Sequence, residues 1–159
     1  MTDPYAWQDN FAVGHPVIVM PALLRWARET YGEAMRKALA QAGCDDIPPN
    51  GMFVIGALSL GAGDIPLGVL VKQLKVSKQA AGQLVDVLVL RGYLKREPDE
   101  EDRRRFTIRL TERGWHAAAV QREAREKIDA ELTARVGADT VASARKTLAA
   151  LIEIGGGLV

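Results

Sequence analysis

Residues 76–114 read VSKQAAGQLVDVLVLRGYLKREPDEEDRRRFTIRLTERG, and the reading of this stretch decides the fold. Ser77 is a helix N-cap by type, because its hydroxyl can accept an N–H of the following turn. Along the helix that follows, Ala80, Ala81, Leu84, Val87 and Leu88 recur at helical spacing as an inward stripe. Lys78, Gln79, Gly82, Gln83 and Asp86 share the other side. Gly92 ends the helix as a glycine just past a C-terminus does. From Tyr93 the pattern changes to strand. Phe106, Ile108 and Leu110 alternate with Thr107 and Arg109, the period of two expected when one face of a strand is buried. Two strands joined by the charged loop PDEEDRR make a hairpin, and Thr111 can cap a further helix.

Working outward, Pro66 to Leu74 forms a short helix and Lys75 to Ser77 a tight turn, so that two helices and a hairpin follow one another. Upstream, Pro21 sits where the first turn of a helix tolerates proline. Leu24, Ala27, Tyr31, Met35, Ala38 and Leu39 then fall on one stripe of a long helix ending near Gly43. Cys44 to Asn50 is a loop by composition, Met52 to Leu60 is apolar enough for a buried helix, and Gly61 to Asp64 breaks it. Downstream, Trp115, Ala118, Ile128 and Leu132 lie near one helical face until Gly137. A last helix from Asp139 carries Val141, Ala144, Leu148, Leu151 and Ile152 at coiled-coil-like spacing. The organisation is an N-terminal segment and first helix over 1–45, a central lobe over 46–110 and C-terminal helices over 111–159. Together they form one intertwined domain.

The chain has 159 residues, 48% hydrophobic and 26% charged, which suits one folded unit with a core and argues against wholesale disorder. Its apolar runs are far shorter than the roughly 20 residues a membrane-spanning helix needs. The N-terminus MTDPYAWQDN has no Lys or Arg, unlike a secretory signal, and Cys44 is the single cysteine. A cytoplasmic protein without an internal disulfide is expected. Net charge is only +1, but residues 72–109 hold ten Lys or Arg against six Asp or Glu, leaving eleven against fourteen in the rest. Such concentration suits a surface that neutralises phosphates.

Helix, tight turn, helix and basic hairpin together make a winged helix-turn-helix. Exposed Lys78, Gln79 and Gln83 suit a DNA major groove, since Gln presents donor and acceptor together and Lys meets guanine acceptors or phosphate. Arg103, Arg104 and Arg105 can extend alongside, where the negative potential of the minor groove favours arginine. Arg105 and Arg109 are equally readable as phosphate contacts or as plain exposed strand residues. No Gly-rich phosphate loop and no nucleophile with a His and acid pairing is present, so catalysis finds no support. His15 and His116 stand apart from any carboxylate or cysteine at metal-ligand spacing, and no metal or cofactor is expected. Cys44, beside Asp45 and Asp46, lacks the electropositive setting that activates a thiolate.

Within residues 76–114, Pro98, Asp99, Asp102, Arg103 and Arg104, followed by Leu110, Thr111 and Gly114, resemble the wing signature of the multiple antibiotic resistance regulator (MarR) family. The resemblance extends in number and order of helices over roughly residues 20 to 152. It implies a mainly α fold with a small β-hairpin wing and a helical dimerisation region. The implied function is that of a sequence-specific DNA-binding regulator, a ligand-responsive repressor acting as a homodimer on an inverted-repeat operator. By position, Ser77, Lys78, Gln79 and Gln83 resemble groove-facing residues of the recognition helix, and Arg103 and Arg104 DNA-contacting or wing-bracing arginines. Asp99 and Asp102 would organise the turn of the wing. The resemblance also implies a small aromatic or phenolic effector between the dimerisation helices and the winged lobe, with Trp26, Tyr31, Met52, Phe53 and Trp115 as candidate lining, although most of them read equally well as ordinary core. Two departures stand out. Glu100 and Glu101 occupy the wing tip where many relatives carry a basic residue, and Gly68 to Val71 is more apolar than is usual in the preceding helix. The acidic tip motivates an alternative, a winged-helix protein-interaction adaptor without DNA binding.

Overall fold

The computed structural model describes residues 19–61, 63–74, 76–98 and 106–156. The chain runs α1 (Met20–Gln41), α2 (Gly51–Leu60), β1 (Asp64–Pro66), α3 (Leu67–Leu74), α4 (Lys78–Leu90), β2 (Leu94–Pro98), β3 (Phe106–Leu110), α5 (Glu112–Val136) and α6 (Ala138–Ile154). Mostly helical with one small antiparallel sheet, it is a winged helix-turn-helix.

The caps follow the local chemistry. Ser77 Oγ accepts the Ala80 N–H at 3.1 Å at the start of α4, and Thr111 Oγ1 accepts the Gly114 N–H at 3.1 Å at the start of α5. Pro21 lies in the first turn of α1. Gly92, just past α4, has φ +76°, a left-handed conformation that side chains disfavour.

The sheet is larger than a hairpin. β3 pairs with β2 (Leu94 opposite Leu110, Pro98 opposite Phe106) and on its other side with β1 (Asp64 opposite Arg109, Pro66 opposite Thr107). Where Gly61 to Asp64 reads only as a break, the chain adds a three-residue edge strand. So short a strand has no period to detect, and Pro66 is tolerated because it sits at an edge.

The core lies under the winged lobe. Val54, Ile55 and Leu58 of α2, Leu70 of α3, Val85 and Leu88 of α4, Tyr93, and Ile108 of β3 are almost fully buried together. Two stripes differ from expectation. In α4 the buried residues are Ala81, Val85 and Leu88, while Ala80 is exposed. In α5 they are Gly114, Ala117, Ala118, Gln121 and Ala124, while Trp115 and Leu132 remain 44% and 39% exposed. The reason in α5 is closeness: it packs along α1 and across α2, and small residues allow the approach. A Cβ on Gly114 would lie 2.2 Å from the Tyr93 carbonyl oxygen. α6 buries no residue in the single chain. Among the described residues, no helix is long and apolar enough to cross a membrane.

Candidate nucleic-acid interface

The outer face of α4 presents Lys78, Gln79 and Gln83, all exposed and without a hydrogen bond or ion pair among the described residues. Ser77, also exposed, is already engaged as the N-cap. A polar face left unpartnered has its full donor and acceptor capacity available to a ligand. Arg103 and Arg104, with Arg105, Asp99, Asp102, Glu100 and Glu101, lie outside the described residues, as does His15.

Further along the same face stands Asp86, a carboxylate that by itself would repel phosphate. Arg96 of β2 meets it, Nη1 to Oδ1 2.5 Å, and its Nη2 donates to the Gly82 carbonyl at 3.5 Å. One side chain of the wing thereby neutralises an acid on the helix and fastens the two elements together. Nothing in the spacing of Asp86 and Arg96 announces this pair. It exists because the chain reverses at Gly92 and lays β2 back against α4.

Across the sheet runs a ladder of charge. Arg109 lies between Glu97 Oε2, 2.7 Å from its Nε, and Asp64 Oδ2, 3.4 Å from its Nη1, and Lys95 Nζ lies 2.6 Å from Glu97 Oε1. The Lys95 hydrogen bond, with the Lys95 and Arg109 charges, holds the Glu97 carboxyl below its ordinary pKa. Arg109 is a partly buried residue of β3 whose charge is already matched by two carboxylates.

A second polar cluster fixes the exit of α4. Tyr93, fully buried, donates its hydroxyl to Asp46 Oδ1, and Arg91 Nη1 donates to the Asp46 carbonyl. The Arg113 guanidinium lies 4.3 Å above the Tyr93 ring, a cation–π arrangement. Arg113 also reaches Asp46 Oδ1 at 3.1 Å and the Arg91 carbonyl at 2.5 Å. The Tyr93 hydrogen bond, aided by Arg113 and Arg91, holds the Asp46 carboxyl below its ordinary pKa. Burial, foremost, and the hydrogen bond to Asp46 push the Tyr93 phenol up. Cys44 is buried beside this cluster, its thiol 3.8 Å from the Ala42 carbonyl.

The five candidate effector residues are dispersed. Tyr31 of α1 donates its hydroxyl to Asp129 Oδ1 of α5 at 2.5 Å, and Arg145 of α6 meets Asp129 Oδ2 at 3.3 Å. Asp129 thus ties three helices together, with Tyr31 as its partner on α1. Met52 packs partly buried against the core, whereas Trp26 and Phe53 are 40% and 52% exposed. Trp115 packs against Gly63, where a Cβ would come 2.3 Å from the indole. None of the five lines either of two open cavities. One, of about 270 Å³, is bounded by Pro48, Pro49, Val76, Ala80, Gln83 and Leu84 beside α4. The other, of about 470 Å³, lies between α1 and α5 along Ala38, Gln41, Glu123 and Lys127.

The sequence reading did not single out Gln121. It is 1% exposed, and its Nε2 has no hydrogen-bond partner among the described residues. A Cβ on Gly56 of α2 would lie 3.7 Å from Gln121 Oε1 and 3.8 Å from Arg125 Nη1, so both side chains face this glycine. Arg125 makes no ion pair among the described residues. Among those residues no group of His, Cys, Asp and Glu could hold a metal ion.

Comparison with known proteins agrees with the geometry. Residues 45–105 match the model of the MarR family. No curated protein matches by sequence. Among solved structures, a transcriptional regulator from Thermotoga maritima is 26% identical, with 84% of this chain and 93% of that one covered and a TM-score of 0.59. A MarR mutant from E. coli complexed with operator DNA is 22% identical, with coverage of 95% and 99% and a TM-score of 0.66. FabT from Streptococcus pneumoniae in complex with DNA is 18% identical, with coverage of 86% and 96% and a TM-score of 0.68. The resemblance carried by residues 76–114 and the family match over 45–105 point to the same winged lobe.

Proposed function

We propose that this chain, a MarR-family winged-helix protein, is a DNA-binding transcriptional regulator that acts as a homodimer and represses by occupying an inverted-repeat operator. The observation that carries the reading is the outer face of α4, where Lys78, Gln79 and Gln83 stand exposed and unengaged among the described residues on a helix braced from the wing by Arg96. Such a face meets the donor and acceptor pattern of the major groove. Arg103 and Arg104 would add contacts from the wing, and Asp99 and Asp102 would shape its turn.

Dimerisation is supported by the apolar surface that α5 and α6 leave uncovered. Leu132 and Val136, with Leu148, Leu151, Ile152 and Ile154, are each at least 39% exposed, although helices of this pattern bury such residues when they can. Two copies joined there would set two α4 helices on one face of a duplex. A small aromatic or phenolic acid is the effector class we assign. The exposed ring of Phe53, one turn before Gly56 on α2, and the side chains of Gln121 and Arg125, which face Gly56 without a hydrogen bond or ion pair among the described residues, suit an apolar ring bearing a carboxylate.

Selection of bound duplexes from a random DNA pool tests the reading. Recovered sequences should share an inverted repeat with half-site centres about 34 Å, one helical turn, apart. Recovery of no common sequence contradicts it.

A further inference from the structure

A glycine inside a helix calls for a reason, because it is a poorer helix former than alanine. At several glycines of this chain the reason is internal. A Cβ would sit 2.2 Å from the Tyr93 carbonyl oxygen at Gly114, 2.3 Å from the Trp115 ring at Gly63 and 2.8 Å from the Ile47 side chain at Gly51. Gly82, in the middle of α4, has no such reason. It is not among the positive-φ glycines, and a Cβ built on it meets no described heavy atom within 4 Å. Neither packing nor backbone conformation uses the missing side chain.

The position is telling. Gly82 lies one turn from Lys78 and one turn from Asp86, on the stripe that also carries Gln79. Its carbonyl is held by Arg96, which also pairs with Asp86. Arg96 holds the backbone carbonyl there, and no described side chain fills the space in front of the half-exposed α-carbon. We propose that Gly82 is the point where α4 comes closest to duplex DNA. The absent side chain lets base edges of the major groove approach the helix backbone, and residue 82 sets the depth at which α4 seats. This inference rests on the DNA-binding reading and deepens it. A methyl group at 82 would hold the helix off the groove floor and stretch the hydrogen bonds from Gln79 and Gln83, whose strength depends steeply on distance and angle.

The test is Gly82→Ala in the full chain, with two readouts. Thermal unfolding by circular dichroism reports on the fold. Fluorescence anisotropy reports affinity for a labelled duplex that the wild-type protein selects from a random pool. The inference predicts an unchanged or higher Tm together with a loss of affinity of about fivefold or more. A smaller loss overturns it, since the glycine is then of no consequence to DNA. A lowered Tm with loss of helix also overturns it, because the glycine then serves the fold. Failure of the wild-type protein to select any duplex is a different result. It removes the DNA-binding reading itself and this inference with it.

Discussion

The guanidinium of Arg96 on β2 lies 2.5 Å from the carboxylate of Asp86 on α4, and this contact joins the wing to the helix proposed to read DNA. The Asp86 side chain is 60% exposed, so the pair contributes about 1 kcal/mol or less to stability. Its larger effect is on the field in front of α4. Arg96→Ala is expected to leave Tm nearly unchanged and to weaken duplex binding on the order of tenfold, because an uncompensated carboxylate then faces phosphate. Adding Asp86→Asn should restore most of the affinity. Anisotropy titrations of the single and double variants check this, and an unrescued double variant would show that Arg96 acts by some other route.

Asp46 and Tyr93 govern a pH dependence. The folded state holds the Asp46 carboxyl below its ordinary pKa, chiefly through the Tyr93 hydroxyl. This stabilisation is therefore present above the unfolded carboxylate value of about 3.9 and is lost as pH falls through the folded value. Tyr93→Phe removes the main cause and is expected to cost about 1–2 kcal/mol at neutral pH. Urea unfolding at a series of pH values should show the gap between wild type and variant closing as pH drops from about 5 to about 2. A gap of constant width would remove Asp46 from the explanation.

Gln121 buries an amide nitrogen without a partner among the described residues, which carries a desolvation cost. Gln121→Met, similar in volume, should leave stability unchanged or raise it by about 1 kcal/mol in the effector-free protein. The same variant should weaken any aromatic acid that quenches tryptophan fluorescence and releases DNA. A clear drop in Tm would instead reveal a structural partner for the amide.

On α6, Leu151 is 44% exposed in the single chain. If it meets its own copy across a dimer, Leu151→Glu places a charge in an apolar contact and should raise the dimer dissociation constant by about tenfold or more. Sedimentation equilibrium measures this directly. A dimer of undiminished strength would move the interface elsewhere.

Much of this architecture was legible in particular residues. Ser77 and Thr111 marked two helix starts because a hydroxyl there accepts a free N–H, and Gly92 marked an end because its φ is positive. The alternation of Ile108 and Leu110 placed β3. What escaped were features made by chain reversal rather than by local pattern. The edge strand at Asp64–Pro66 exists only because β3 lies beside it. The Arg96–Asp86 tie and the Asp46, Tyr93 and Arg113 cluster join residues between 10 and 67 positions apart, and no spacing rule links them. The stripe of α5 was misread because small residues, not large ones, mark its buried side. The outer face of α4 was readable as a polar stripe, whereas the state of Arg109 was not, since its two carboxylates come from two other strands.

The central claim is that Lys78 and its neighbours on α4 face DNA, and the affinity of Lys78→Glu for a duplex selected by the wild-type protein tests it most directly. A loss of about tenfold or more at low salt, a weaker salt dependence than wild type and an unchanged Tm are expected. Equal affinity of variant and wild type, with the same salt dependence, would contradict it.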